Sequence, residues 1–122
     1  PERDGSVSFL LILEMLAYEG KSFDTLISEF YKQYGHYYYS RTAIPANRLK
    51  KSLESMKLPN KLYGKPIERV NTLDGIKLIT KDNWLMFRKS GTEPIVRVYA
   101  ESRSKKEGER LVALGKRMIY VL

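Results

Sequence analysis

The strongest fold signal in this chain is the stretch Trp84-Leu85-Met86-Phe87-Arg88-Lys89-Ser90-Gly91-Thr92-Glu93-Pro94-Ile95-Val96-Arg97-Val98-Tyr99-Ala100. Its two ends, residues 84–87 and 95–99, are short apolar runs of the kind that form β-strands. The polar residues between them predict a loop joining two antiparallel strands. A loop of five residues, 90–94, is longer than the favoured hairpin connection of roughly two residues, so a binding role competes with a purely structural one.

The loop and its borders are rich in groups that bind oxyanions. Arg88 and Arg97 each offer a planar fork of donors that matches a phosphate face. Ser90 and Thr92 add hydroxyl donors. Gly91 allows positive φ, which would let consecutive backbone N–H groups converge on an anion. The alternative reading is an ordinary turn, since Ser, Gly and Pro are common turn residues.

The run Arg-Lys-Ser-Gly-Thr-Glu-Pro at 88–94, followed by Ile-Val-Arg-Val-Tyr-Ala-Glu, closely resembles the phosphate-binding loop of the α-D-phosphohexomutase superfamily, which includes phosphoglucomutases and phosphomannomutases. In that family the loop lies in the fourth and last domain and grips the phosphate of the sugar phosphate. The resemblance implies that the phosphate ligands are Arg88, Ser90, Gly91, Thr92 and Arg97. It implies a loop-shaping role for Glu93 and Pro94, while Lys89 occupies a variable position.

The start of the chain also resembles this family. Residues 1–5, Pro-Glu-Arg-Asp-Gly, precede an apolar helix that stops near Gly20, which is similar to the end of the third mutase domain. We therefore expect residues 1–35 to be the C-terminal helical portion of the third domain and residues 36–122 to be the phosphate-binding domain. A first residue that is Pro rather than Met fits a fragment of a longer enzyme.

Size and composition agree with a small soluble protein. The 122 residues can form one compact domain plus an appendage, with 43% hydrophobic and 30% charged residues. No apolar run approaches the roughly 20 residues that span a bilayer, so we expect no membrane partner. The absence of cysteine excludes disulfides and thiol chemistry and is typical of a cytoplasmic protein.

The charge is unevenly distributed. Residues 1–35 carry three basic and six acidic side chains, and residues 36–122 carry 19 and 8, giving net charges of −3 and +11. The basic part favours anionic partners. Together with the tyrosines at 37–39, it raises a competing hypothesis, a basic nucleic-acid-binding module. That hypothesis leaves the loop at 88–94 unexplained.

The remaining pattern predicts helices and strands in a fixed order. Asp4 caps a helix to about Tyr18, and Ser22 caps a second that ends at Gly35 and buries one face. A short aromatic strand follows at 36–41, with His36 in a structural or surface role. A helix is predicted to start near Pro45, with Leu49, Leu53 and Met56 inward, and strands follow from Ile67 onward around the Asp74-Gly75 turn. The last helix has Ser104 and Glu107 at capping-box spacing, and its largely inward residues are Leu111, Val112, Gly115, Met118 and Ile119.

The predicted fold class is α+β: an antiparallel sheet of about four strands packed with two helices, preceded by a helical remnant of a third α/β domain. By resemblance, the sheet is similar to that of the TATA-box-binding protein. The apolar residues 7–16 cover nearly all sides of the first helix. They could alternatively form a docking surface of an interaction module.

The resemblance implies a whole enzyme that moves a phosphoryl group between the 1- and 6-positions of a hexose. That reaction uses a phosphoserine, magnesium and a bisphosphorylated intermediate of the glucose 1,6-bisphosphate type. This chain lacks a Ser-His-Asn-Pro nucleophile loop and a cluster of metal-binding aspartates, so we expect no catalytic or metal site in it. The expected partners are the sugar phosphate and the remaining mutase domains in cis.

Overall fold

The computed structural model describes residues 4–49 and 52–119. The chain divides into two compact units, residues 1–36 and residues 37–122. Within the described ranges, the helices are too short or too polar to cross a bilayer.

The first unit is a pair of helices, α1 (Gly5–Glu19) and α2 (Phe23–Tyr34). The Asp4 carboxylate accepts hydrogen bonds from the backbone N–H groups of Ser6 and Val7, which caps the start of α1. Gly20 ends that helix in the left-handed conformation at φ 61°. Ser22 caps α2, and Gly35 ends it. Both helices and their caps are confirmed as predicted.

The predicted buried face of α2 is wrong for this chain. Neither helix has a buried residue among those described, and most apolar side chains of α1 are exposed, with Phe9 60% and Leu10 62% accessible. In α2, Leu26 and Ile27 are half-buried while Phe23 and Phe30 remain exposed. The spacing of the apolar residues correctly predicts the helix. In the described residues, however, no surface buries its apolar face.

The second unit is built on a five-stranded antiparallel sheet. Its strands are β1 (Tyr38–Pro45), β4 (Arg69–Asn71), β5 (Ile76–Ile79), β6 (Trp84–Lys89) and β7 (Ile95–Ser102), in the order β1-β7-β6-β5-β4. A separate small hairpin pairs β2 (Lys61–Leu62) with β3 (Lys65–Pro66). The antiparallel α+β fold is confirmed, with one strand more than expected and with β1 longer than the predicted aromatic strand.

One face of the sheet packs against α3 (Lys105–Ile119), which begins where Ser104 Oγ accepts a hydrogen bond from the Glu107 N–H. Alternate residues of the strands point to this helix and form a core with it. The fully or nearly fully buried members of the core include Ile44, Leu78, Leu85, Phe87, Val96, Val98, Ala100, Leu111 and Ile119. Gly115 is required for this contact, because an added Cβ would lie 2.6 Å from Val98 Cγ1. The opposite face of the sheet carries no helix from this unit in the described ranges.

The helix predicted to start near Pro45 is wrong. Pro45 is the last residue of β1, and only two 3-10 turns follow in the described ranges before β2, Ala46–Arg48 and Leu53–Ser55. Leu49 and Met56 have extended backbones (ψ 135° and 126°), which interrupts any helix. Residues 50 and 51 lie outside the described ranges. Leu49, Leu53 and Met56 nevertheless pack on the core as predicted, from separate turns instead of one helix.

Candidate phosphate-binding site

The two arginines singled out in the sequence are direct cross-strand partners. Arg88 of β6 pairs with Arg97 of β7, and both side chains project from the face of the sheet opposite α3. Side chains directly opposite in an antiparallel pair have Cβ atoms about 5 Å apart, and like charges there destabilise a sheet. A compensating anion would relieve this repulsion.

Within the described ranges, each arginine is held by a carboxylate. Arg97 donates from Nη2 to Glu93 Oε2 at 2.8 Å, and this hydrogen bond is the main cause of a raised Arg97 pKa, with Tyr99 second. Arg88 donates from Nε to Asp74, whose two carboxylate oxygens lie 3.1 and 2.9 Å away. Both ion pairs are largely exposed, so a stronger anion in water can compete with them.

The loop is closed by its backbone. The Ser90 N–H donates to the Ile95 carbonyl at 3.0 Å, and the Ile95 N–H donates to the Glu93 carbonyl at 2.8 Å. The Pro94 carbonyl accepts from the Ala46 N–H at 2.8 Å, which ties the loop to the end of β1. Ser90 is half-buried, whereas the other polar residues of the loop are exposed.

Gly91 does not adopt the positive φ that a glycine allows. The glycines with positive φ in the described ranges are Gly20, Gly35, Gly64 and Gly75. An added Cβ at Gly91 would meet no atom within 4 Å. The backbone conformation at position 91 therefore does not require a glycine. What Gly91 provides is open space beside the loop.

Lys89 forms a third ion pair at the end of β6. Its Nζ donates to Glu54 Oε1 at 2.6 Å, and this bond is the main cause of the lowered pKa of Glu54, at about 2. The same two side chains, with Arg88 and Asp74, line an open groove of about 510 Å³. Its floor is apolar and includes Leu53, Met56, Leu58 and Ile76.

A second hollow lies beside Arg97. It has a volume of about 440 Å³, and its lining includes Arg97, Glu93 and Arg41. Because Arg88 lines the first groove and Arg97 the second, the paired arginines border two neighbouring depressions.

Three residues at this site are not identified as site residues from the sequence. Asp74 is predicted only as a turn former, and neither Glu54 nor Arg41 stands out. The pairing of Ile76 with Phe87 brings the turn before β5 next to Arg88. That register depends on the whole sheet, so the sequence offers no signal for Asp74 beyond its turn. Nothing in the sequence signals Glu54, because the segment that carries it has no regular pattern.

The remaining aromatic and acidic residues form other contacts. Tyr39 stacks on Tyr99 with ring centroids 6.0 Å apart, and partial burial raises the Tyr39 pKa. The Trp84 indole N–H donates to Glu101 Oε1, and Lys77 Nζ lies 3.9 Å from the centre of the Trp84 rings. In the first unit, His36 contacts Tyr31 with ring centroids 4.1 Å apart.

Potential metal ligands are dispersed. Across residues 4–49 and 52–119, the structure brings together no group of three or more His, Asp or Glu side chains suited to a metal ion. These residues therefore do not fit a magnesium site.

Comparison with known proteins identifies the family. The family model described as phosphoglucomutase/phosphomannomutase, C-terminal domain, matches residues 45–114. The chain belongs to this family, which confirms the resemblance drawn from residues 88–101. A crystal structure from Thermus thermophilus that carries a phosphomannomutase name matches 96% of the chain with a TM-score of 0.68 and 30% identity, and the match covers 22% of that protein.

Curated relatives carry the names of mutases. The chain is 35% identical over 117 residues to a phosphoglucosamine/phosphogalactosamine mutase of Sulfurisphaera tokodaii, covering 96% of the chain and 25% of the relative. It is 32% identical to a phosphoglucomutase/phosphomannomutase of Thermococcus kodakarensis, covering 96% and 24%. The chain thus spans about a quarter of the length of these relatives.

Proposed function

We propose that residues 37–122 hold the phosphate group of a sugar phosphate between Arg88 and Arg97. The observation that carries this proposal is the direct cross-strand pairing of the two arginines beside the loop. Two guanidinium groups on one open face can each offer two donors to a phosphate dianion. Binding would replace their mutual repulsion with attraction to a shared anion.

Ser90, Gly91 and Thr92 complete the proposed site. The Ser90 and Thr92 hydroxyls can donate to phosphate oxygens, and the open space at Gly91 lets a ligand approach the backbone. Glu93 and Pro94 shape the loop through the backbone bonds at their carbonyls. Glu93 also neutralises Arg97 until the phosphate arrives.

For the whole protein, we propose a phosphohexomutase that interconverts hexose 1-phosphates and hexose 6-phosphates. In this proposal residues 1–35 belong to a preceding domain and residues 36–122 form the substrate-phosphate-binding domain. The phosphoserine and the ligands for Mg²⁺ lie on other domains, where the metal would stabilise charge on the transferring phosphoryl group. The names of the relatives make an amino sugar phosphate a further candidate substrate. The proposed compartment is the cytoplasm.

The proposed role in catalysis is positioning. A clamp on the phosphate that is not reacting fixes the sugar relative to the reacting centre, so that remote binding energy supports transfer. Because the same clamp accepts a phosphate at either end of the sugar, it would serve a bisphosphorylated intermediate in both orientations.

The test is a backbone amide NMR titration of the 122-residue chain with glucose 1-phosphate, with unphosphorylated glucose as the matched control. A single exposed phosphate site should bind with Kd on the order of 1 mM. We expect saturable shifts confined to residues 88–97 and their neighbours with the sugar phosphate and none with glucose. Equal shifts with both ligands, or shifts located elsewhere, would contradict the proposal.

A DNA oligonucleotide in a parallel titration tests the nucleic-acid alternative. Single-stranded binders stack bases on free aromatic faces, whereas Lys77 covers one face of Trp84. We therefore expect weak, salt-sensitive shifts spread over the basic surface. Tight binding centred on the tyrosines of β1 would favour the alternative. An activity assay of the chain alone with magnesium should show no mutase turnover.

A further inference from the structure

Asp74 holds Arg88 at Nε and leaves the terminal nitrogens of the Arg88 guanidinium available to bind a phosphate. Both carboxylate oxygens of Asp74 lie near one donor, Arg88 Nε, at 3.1 and 2.9 Å. The two terminal nitrogens of the guanidinium have no partner among the contacts of the described residues. Glu93 differs, because it accepts from a terminal nitrogen of Arg97, the part of the fork that a phosphate would use.

The turn that carries Asp74 is fixed against the strand that carries Arg88. Gly75 has φ 104°, and an added Cβ there would lie 2.2 Å from the Phe87 carbonyl oxygen and 3.2 Å from Arg88 Cα. Only glycine allows this close approach. The Ile76–Phe87 pair then continues the contact into the sheet. The backbone of this turn packs closely against β6, and this contact places the Asp74 carboxylate beside Arg88.

We propose that Asp74 is a positioning residue that aims the guanidinium of Arg88 at the phosphate, an inference that rests on the proposed function. A free arginine side chain loses rotamer freedom when it binds an anion. Because Asp74 already holds Nε, the Arg88 side chain is ordered before the phosphate binds. Asp74 itself does not touch the ligand. It acts through Arg88. Its carboxylate also places a negative charge near the anion site, and this charge by itself disfavours binding of an anion.

Charge and position make opposite predictions for Asp74→Ala, which removes both the charge and the acceptor of the Arg88 Nε–H. If Asp74 acted only through its charge, removing it would strengthen binding of an anion. If it positions Arg88, removing it weakens binding although the site becomes more positive. The matched control is Asp82→Ala, which removes the same charge from an exposed carboxylate that pairs with Lys65 at the opposite end of β6.

The experiment measures two quantities on the full 122-residue chain and both variants. The first is the affinity for glucose 1-phosphate, by amide NMR. We expect Asp74→Ala to weaken it about three- to tenfold, the effect of ordering one long side chain on binding, and Asp82→Ala to leave it unchanged or slightly tighter. The second is the Nε–Hε cross-peak of Arg88, which we expect to be protected from exchange in the parent chain and broadened only in Asp74→Ala.

Two results would overturn this inference. One is affinity in Asp74→Ala equal to or tighter than that of the parent chain, and the other is an Arg88 Nε–Hε peak that stays protected without Asp74. The amide spectrum of each variant reports whether the fold is intact. If the parent chain itself fails to bind glucose 1-phosphate, the proposed function fails and the positioning role falls with it. If the parent binds and the peak is unaffected, only the positioning role fails.

Discussion

At the residue scale, Arg97 combines a proposed role in phosphate binding with a structural disadvantage. It lies directly opposite another arginine on an exposed sheet face, and Glu93 is the loop carboxylate that offsets its charge. A side chain kept for stability would not be placed there, since like charges across a strand pair repel. The arrangement is better explained by what the pair can bind than by what it contributes to folding.

Replacing Arg97 should therefore separate binding from stability. We expect Arg97→Thr, which retains β propensity, to weaken glucose 1-phosphate binding about tenfold or more, since a charge-assisted pair is lost. The thermal midpoint should stay the same or rise. Arg69→Thr on the edge strand β4 is the control and should affect binding little. Parallel loss of stability and affinity in Arg97→Thr would indicate a structural residue.

The ion pair between Lys89 and Glu54 predicts how the stability of the fold depends on pH. Lys89 holds the Glu54 pKa at about 2, below the ordinary 4.5, so the pair stabilises the fold above pH 4.5 and this contribution is lost as pH falls toward 2. In Lys89→Met, NMR titration should show the Glu54 pKa raised toward its ordinary value but still below it, because hydrogen bonds from the backbone and Ser52 also lower it. Because the pair is exposed, added salt should shrink the shift in the parent chain.

The control for this titration is in the same spectrum. The Glu107 pKa is lowered mainly by the hydrogen bond from Lys65, which Lys89→Met leaves intact. A Glu54 pKa that does not respond to the substitution would mean that its carboxylate is not paired with Lys89 in solution.

At the scale of elements, the β4–β5 turn links the fold to the site. Gly75→Ala adds strain at positive φ and a clash with the Phe87 carbonyl, so we expect a loss of about 2–4 kcal/mol in the free energy of unfolding. Gly64→Ala is the matched control. It has φ 82° with open space around it, and should cost only about 1 kcal/mol.

Chemical denaturation of both variants checks this prediction. Equal losses in the two proteins would show that the turn does not press on β6. The same comparison bears on Asp74, because displacing the turn would also move its carboxylate away from Arg88.

The elements that the sequence predicts best are those with a strong local signal. Runs of apolar residues locate β6 and β7, and caps at Asp4, Ser22 and Ser104 locate the three long helices. The helix predicted after Pro45 is wrong, because inward residues at helical spacing can also be supplied by separate 3-10 turns. Spacing along the chain reports which side chains face the core, not which backbone carries them.

The site is predictable in its composition but not in its geometry. The loop motif gives Arg88, Ser90, Gly91, Thr92 and Arg97 as candidates, while their roles remain proposals. The pairing of the two arginines and the position of the β4–β5 turn beside Arg88 both depend on strand register. No single stretch of the sequence specifies that register. Gly91 does not adopt positive φ, since turn chemistry allows that conformation without requiring it.

At the scale of the molecule, the two units differ in how well they bury apolar surface. The unit of residues 37–122 has a closed core, whereas α1 exposes Phe9, Leu10 and Leu11. Apolar patches of this kind promote association. We expect residues 37–122 alone to unfold cooperatively and to sediment as a monomer, while the full chain associates with increasing concentration. Sedimentation velocity that shows the same state for both would contradict this.

A crystal structure of the chain with glucose 1-phosphate tests most directly whether one phosphate is shared by Arg88 and Arg97. We expect the phosphate at residues 88–97, with oxygens about 2.7–2.9 Å from nitrogens of both guanidinium groups. We also expect Glu93 to have moved from Arg97 while Asp74 stays on Arg88. A phosphate bound elsewhere, or held by only one of the two arginines, would show that they do not form a shared clamp.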